Sequence, residues 1–102
     1  MNIEIKGVHY DVSKNTKEHM EKKLKKLEYT KDIIIDLLFT ITRVKNGYTV
    51  ESNINFRWGV RVHLKVESFE LFEGIDKLFE KIEHKVTKEK EKVQHHNKRQ
   101  HI

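Results

Sequence analysis

Lys77, Lys81, Lys85, Lys88 and Lys92 recur at i, i+4, i+8, i+11 and i+15. On a helix wheel with Leu71 at zero, they fall between roughly 240° and 320°. Glu73, Glu80, Glu83 and Glu91 fall elsewhere, near 120° to 200°. Lysines four apart repel by about a few tenths of a kcal/mol per pair, so a helix that needs only solvation interleaves its signs. Lysine stems covering a core edge account for single residues of this file but not for the segregation. A segregated file of ammonium groups suits a polyanion. Lysine is a point charge rather than a bidentate fork, so it tracks phosphates and does not read bases.

A weaker version stands earlier in the chain. Lys14, Lys22, Lys25 and Lys26 lie opposite the apolar arc of a first helical segment, and Lys17 and Lys23 flank it. If both helices pack on one sheet, their rims are expected to form one continuous basic surface. Such a groove fits folded RNA, which is recognised through shape, phosphates and 2′-hydroxyls. Trp58, at a turn, is the candidate for stacking a base; its alternative is to fold back on the sheet edge. Seven histidines invite a metal reading, but His95, His96 and His101 sit in an expected tail with no supporting carboxylate spacing. No nucleophile elbow, P-loop or other glycine-rich phosphate loop is present, and no catalytic residues, metal or cofactor are expected.

The charge distribution agrees. The 102 residues carry 21 basic and 16 acidic side chains, a net of +5. Residues 14–31 hold seven lysines against three acids, and residues 81–102 hold six lysines and one arginine against three acids. The remainder is net acidic, so positive charge is localised, as expected of a polyanion binder. The absence of cysteine excludes disulfides, zinc thiolates and thiol nucleophiles. No signal-peptide layout opens the chain and no apolar run reaches the ~20 residues of a membrane span. A soluble, cytoplasmic protein without membrane or small-molecule partners is expected.

The elements that would position these residues follow from periodicity. Asn2 to Lys6 alternates as a half-buried strand, ended by Gly7. Ser13 is placed to cap a helix over about 14–28, with Thr16, Met20, Leu24 and Leu27 in one arc of roughly 80°. Ile33 to Arg43 reads as a second strand. Asn46-Gly47 signals a two-residue hairpin turn, and a third strand runs from Tyr48 to about Phe56. After Trp58-Gly59, Val60 to Glu67 alternates cleanly, which implies an antiparallel sheet packed on one face. Ile75, Leu78, Phe79, Ile82 and Val86 make the helical stripe that covers it, with Glu70, Glu73 and Asp76 near the favourable N-terminus. The predicted fold is α+β, in the order β-α-β-β-β-α, with two helices on one face of a four-stranded sheet. Residues 1–94 form the domain, and 95–102 a flexible His-rich basic tail.

Several strings, in order, resemble the short hibernation-promoting factor and protein Y family of bacteria. They are Met1-Asn2-Ile3-Glu4-Ile5-Lys6-Gly7, Asp11-Val12-Ser13, Glu21-Lys22-Lys23-Leu24-Lys25-Lys26-Leu27-Glu28, Glu70-Leu71-Phe72-Glu73-Gly74-Ile75-Asp76-Lys77-Leu78, and Val86-Thr87-Lys88-Glu89-Lys90-Glu91-Lys92. The resemblance spans residues 1 to about 94. It implies a double-stranded-RNA-binding-domain-like fold with an extra strand, and a factor that occupies the messenger and transfer RNA channel of the small ribosomal subunit in starved cells. It implies ribosomal RNA contacts by Lys23, Lys26, Lys81, Lys85, Lys88, Lys90 and Lys92, to which the wheel adds Lys22 and Lys77. Phe56-Arg57-Trp58-Gly59 departs from the family's smaller turn, and Lys14 stands where a proline or acid is common. With no second domain after the helix, the chain resembles the short form. The expectation is a monomeric, non-catalytic inhibitor of translation. The competing reading is a general binder or chaperone of structured RNA.

Overall fold

The computed structural model describes residues 1–100, with side chains as far as Val93. Its elements are β1 (Asn2–Val8), α1 (Lys14–Lys25), a single 3-10 turn (Glu28–Thr30), β2 (Ile34–Val44), β3 (Gly47–Phe56), β4 (Arg61–Ser68) and α2 (Leu71–Gln100). The strands form one sheet in the order β1-β2-β3-β4, and both helices lie on one of its faces. This is the predicted α+β arrangement.

Each strand's period of two sorts its side chains. Leu37, Phe39 and Ile41 of β2, Val50, Ile54 and Phe56 of β3, and Val66 of β4 are buried on the helix side. Ile75, Leu78, Phe79, Ile82 and Val86 of α2 complete the core, with Met20 of α1 and Leu27 just beyond it. Ser13 caps α1 as expected, its hydroxyl accepting from the Thr16 N–H at 3.1 Å.

Four local expectations are corrected. The sheet is mixed rather than antiparallel throughout. β1 pairs parallel with β2, Ile3 opposite Leu37 and Ile5 opposite Phe39, because a helix between two strands returns the chain to the starting end. β1 also runs through Gly7 to Val8. α1 stops at Lys25, where Lys26 and Leu27 donate to the carbonyls of Lys23 and Leu24 in 3-10 fashion. Finally, the hairpin turn is Lys45-Asn46, since Val44 pairs with Gly47. Gly47 opens β3 at φ 145°, with the Ser68 carbonyl oxygen so close that any Cβ would collide with it. The expected tail over 95–102 lies outside the residues described with side chains.

Candidate nucleic-acid interface

The helix that carries the file forms, as α2. Lys77, Lys81, Lys88 and Lys92 are exposed and Lys85 half-buried. Lys81 Nζ donates to the backbone carbonyl of Lys65 on the outer strand β4, at 3.3 Å. That contact fixes which flank the file occupies. Between α2 and β4 runs an open groove of about 780 Å³ lined by Lys65, Lys77, Lys81 and His84, with Glu67 and Glu80 beside them. Phosphate oxygens entering it would meet three ammonium groups projecting from two rigid elements.

Helix α1 lies on the opposite flank of α2. His19 Nε2 sits 2.6 Å from Asp76 Oδ1, and its ring stacks on Phe72 at 4.4 Å between centroids. Lys23 Nζ is 3.4 Å from the same Asp76 oxygen. The helix–helix seam therefore holds one carboxylate, Asp76, shared between His19 and Lys23 beside an aromatic stack. Burial alone would raise the Asp76 carboxyl; the hydrogen bond and charge of His19, joined by Lys23, outweigh it and hold it below its ordinary value. Further along, burial and then the charge of Glu83 push the Tyr29 hydroxyl up. The expected continuous groove between two basic rims is thus corrected: the helices meet through the His19–Asp76–Lys23 contact, which ties Lys23 into the seam, while Lys81 reaches the other way, to β4. The wheel gave each helix its basic face but not the rotation of one against the other, which tertiary packing sets.

Carboxylates also thin the file. Lys77 pairs with Glu73 at 3.3 Å, and Lys85 and Lys92 both pair with Glu89, at 3.5 and 3.4 Å. Among the described residues Lys22, Lys26, Lys81, Lys88 and Lys90 have no carboxylate partner. Lys90 lies off the file. Glu89 is the residue that periodicity missed. It is 4% exposed, and its signal was available: five turns after Leu71, it falls on the apolar arc.

Trp58 is not the exposed residue that a stacking role needs. It is half-buried, with its ring on Phe56 at 5.3 Å between centroids and 19° between planes. Its indole N–H is buried without a hydrogen-bond partner among the described residues. Among those residues no group of three or more His, Asp or Glu could hold a metal ion, and no helix is long and apolar enough to cross a membrane. His95, His96 and His101 lie outside the described side chains.

Known proteins fit this frame closely. A curated protein named ribosome-associated factor Y, from Haemophilus influenzae, is 27% identical over 88 residues, covering 86% of this chain and 81% of its own. A ribosomal subunit interface protein from Coxiella burnetii superposes with a TM-score of 0.80 at 27% identity, over 88% of this chain and 98% of that one. The N-terminal domain of Thermus thermophilus Protein Y shares the fold, with a TM-score of 0.75 at 21% identity over 86% and 98% of the two chains. The family described as Sigma 54 modulation protein / S30EA ribosomal protein matches residues 3–94, nearly the whole span on which the strings above resemble protein Y. This chain belongs to that family.

Proposed function

We propose that this protein is a ribosome hibernation factor that binds the small subunit in its messenger and transfer RNA channel and blocks translation when growth stops. The relatives named as ribosome-associated and subunit-interface proteins support the ribosomal partner. The observation that carries the site is the lysine flank of α2 beside β4, with Lys81 and Lys88 free of carboxylates among the described residues and Lys77, Lys85 and Lys92 in pairs a phosphate can displace. Of these, the Lys77–Glu73 pair is exposed on both sides and worth about 0–1 kcal/mol, whereas Lys85 and Lys92 share the buried Glu89 carboxylate. Lys22 on α1 and Lys26 at its C-cap supply a second contact, with Lys23 in the seam and Lys90 further along α2. No bond is made or broken in this function. A rigid monomeric wedge held by phosphate contacts excludes other RNA by volume.

Replacing Lys81, Lys85 and Lys88 with Glu tests the reading. The folded variant should co-sediment with small subunits at least about tenfold more weakly, since three phosphate contacts become three repulsions, and should no longer inhibit translation in a cell-free system. Retained affinity would refute the site. If wild-type protein prefers free RNA duplex over small subunits in competition, a general RNA-binding role replaces the ribosomal one.

A further inference from the structure

At the hairpin end of the sheet, adjoining the lysine groove at Glu67, which lines both, Phe69 is 83% exposed and Val44 45% exposed. With Asn46, Tyr48, Thr49, Glu67 and Ser68 they line a shallow concavity of about 400 Å³. Phe69 is not a loose loop residue. Its backbone is pressed against Gly47, where an added Cβ would lie 2.9 Å from the Phe69 Cα and closer still to the Ser68 carbonyl oxygen. Ser68 Oγ donates to the Glu70 carbonyl at 2.8 Å, closing the turn into α2. A large aromatic mounted rigidly in water is the form an interaction anchor takes.

We propose that this surface docks an arginine-bearing protein segment. The sign of charge selects the occupant. Phe69 stands between Glu67 and Glu70, and Glu67 is the one charged residue lining the concavity among those described. Carboxylates repel a phosphate backbone, so a stacking role for Phe69 on RNA is disfavoured. A guanidinium satisfies both parts of the site: its plane stacks on the exposed ring face while its N–H fork meets the Glu67 carboxylate. Lysine offers no plane to stack. Among the described residues Glu67 is engaged only by Lys65, at 3.8 Å with both side chains more than half exposed, a contact that a bidentate guanidinium displaces. The same chemistry already occurs next door, where the Arg43 guanidinium lies 5.9 Å from the Tyr48 ring centroid. This inference goes beyond the ribosomal reading and does not depend on it.

The test uses the full chain and three fluorescein-labelled probes: a peptide of alternating Arg and Gly, its Lys counterpart, and a short RNA hairpin, each titrated by anisotropy. The Arg peptide should bind about fivefold or more tighter than the Lys peptide. Phe69→Ala, a change at an exposed side chain, should remove that difference and leave RNA affinity intact. Glu67→Gln should weaken both peptides. Equal binding of the two peptides, or an Arg preference that survives Phe69→Ala, overturns the proposal. Loss of RNA affinity in Phe69→Ala overturns it in favour of base stacking. Charge reversal at Lys81, Lys85 and Lys88 should do the converse, abolishing RNA binding and sparing the Arg peptide, so the two readings fail separately.

Discussion

Glu89 occupies a position where the helix pattern calls for an apolar residue, and it does so with two lysines as partners. Lys85 and Lys92 are themselves 30% and 67% exposed in their side chains, so they keep their hydration if the carboxylate is removed. A buried charge replaced by a well-shaped apolar group is commonly neutral or stabilising when its partners are not stranded. Glu89→Leu should therefore leave the melting temperature unchanged or raise it, and should strengthen binding to a structured RNA by releasing two cations. Thermal melts and anisotropy titrations check both, and a fall in melting temperature of more than about 4 °C would make Glu89 a structural linchpin instead. Asp76 gives a pH dependence of defined sign. Its carboxyl is held below the ordinary 3.8 in the folded protein, so its contribution is present above that value and lost as pH falls through the folded value. Asp76→Asn should narrow the difference in urea-unfolding free energy between pH 7 and pH 3. An unchanged difference would mean that the His19–Asp76–Lys23 contact carries no net stability.

The elements were largely legible because each rests on a local rule. Ser13 is a cap by its chemistry, β4 a strand by its alternation, and α2 a helix by the stripe from Ile75 to Val86. What the rules missed is tertiary. Nothing local says that β1 pairs parallel, that α1 gives way to a 3-10 turn at Lys26, or that Trp58 folds onto Phe56. The candidate site followed the same division, since the wheel aligned the lysines of α2 but could not rotate α2 so that they face β4 rather than α1. The β2–β3 hairpin shows why. Asn46-Gly47 resembles a two-residue turn, yet the space that the Ser68–Phe69 backbone takes up decides that Gly47 belongs to β3. That gives an element-scale prediction. Gly47→Ala forces both a positive φ and a collision with the Ser68 carbonyl, and should cost about 2 kcal/mol or more in urea unfolding. Gly59→Ala meets a φ of 86° but open space around its Cβ, and should cost about 1 kcal/mol. Similar losses at the two sites would show that backbone conformation alone, and not the crowding against β4, governs the hairpin.

Across the whole molecule, charge is arranged by edge rather than by total. A net of +5 on 102 residues is unremarkable, but the lysine flank lies along one side of α2, the His19–Asp76–Lys23 seam along the other, and the surface with Phe69 and Glu67 at the hairpin end. The salt dependence of RNA binding should report that arrangement, because each lysine that meets a phosphate releases about 0.7–0.9 of a condensed counterion. A lysine that first leaves a carboxylate contributes less, since the abandoned carboxylate recruits a cation of its own. Lys22, Lys26, Lys81, Lys88 and Lys90 then count in full, while Lys23, Lys77, Lys85 and Lys92 count little. The logarithm of the binding constant should fall against the logarithm of salt with a slope of about −3.5 to −4.5, not the roughly −6 to −8 that nine independent lysines would give. Lys81→Ala with Lys88→Ala should reduce its magnitude by about 1.5–2, and Lys77→Ala by much less. A slope near the larger range, or an equal response to Lys77→Ala and Lys88→Ala, would show that the ion pairs of α2 do not survive as competitors for phosphate.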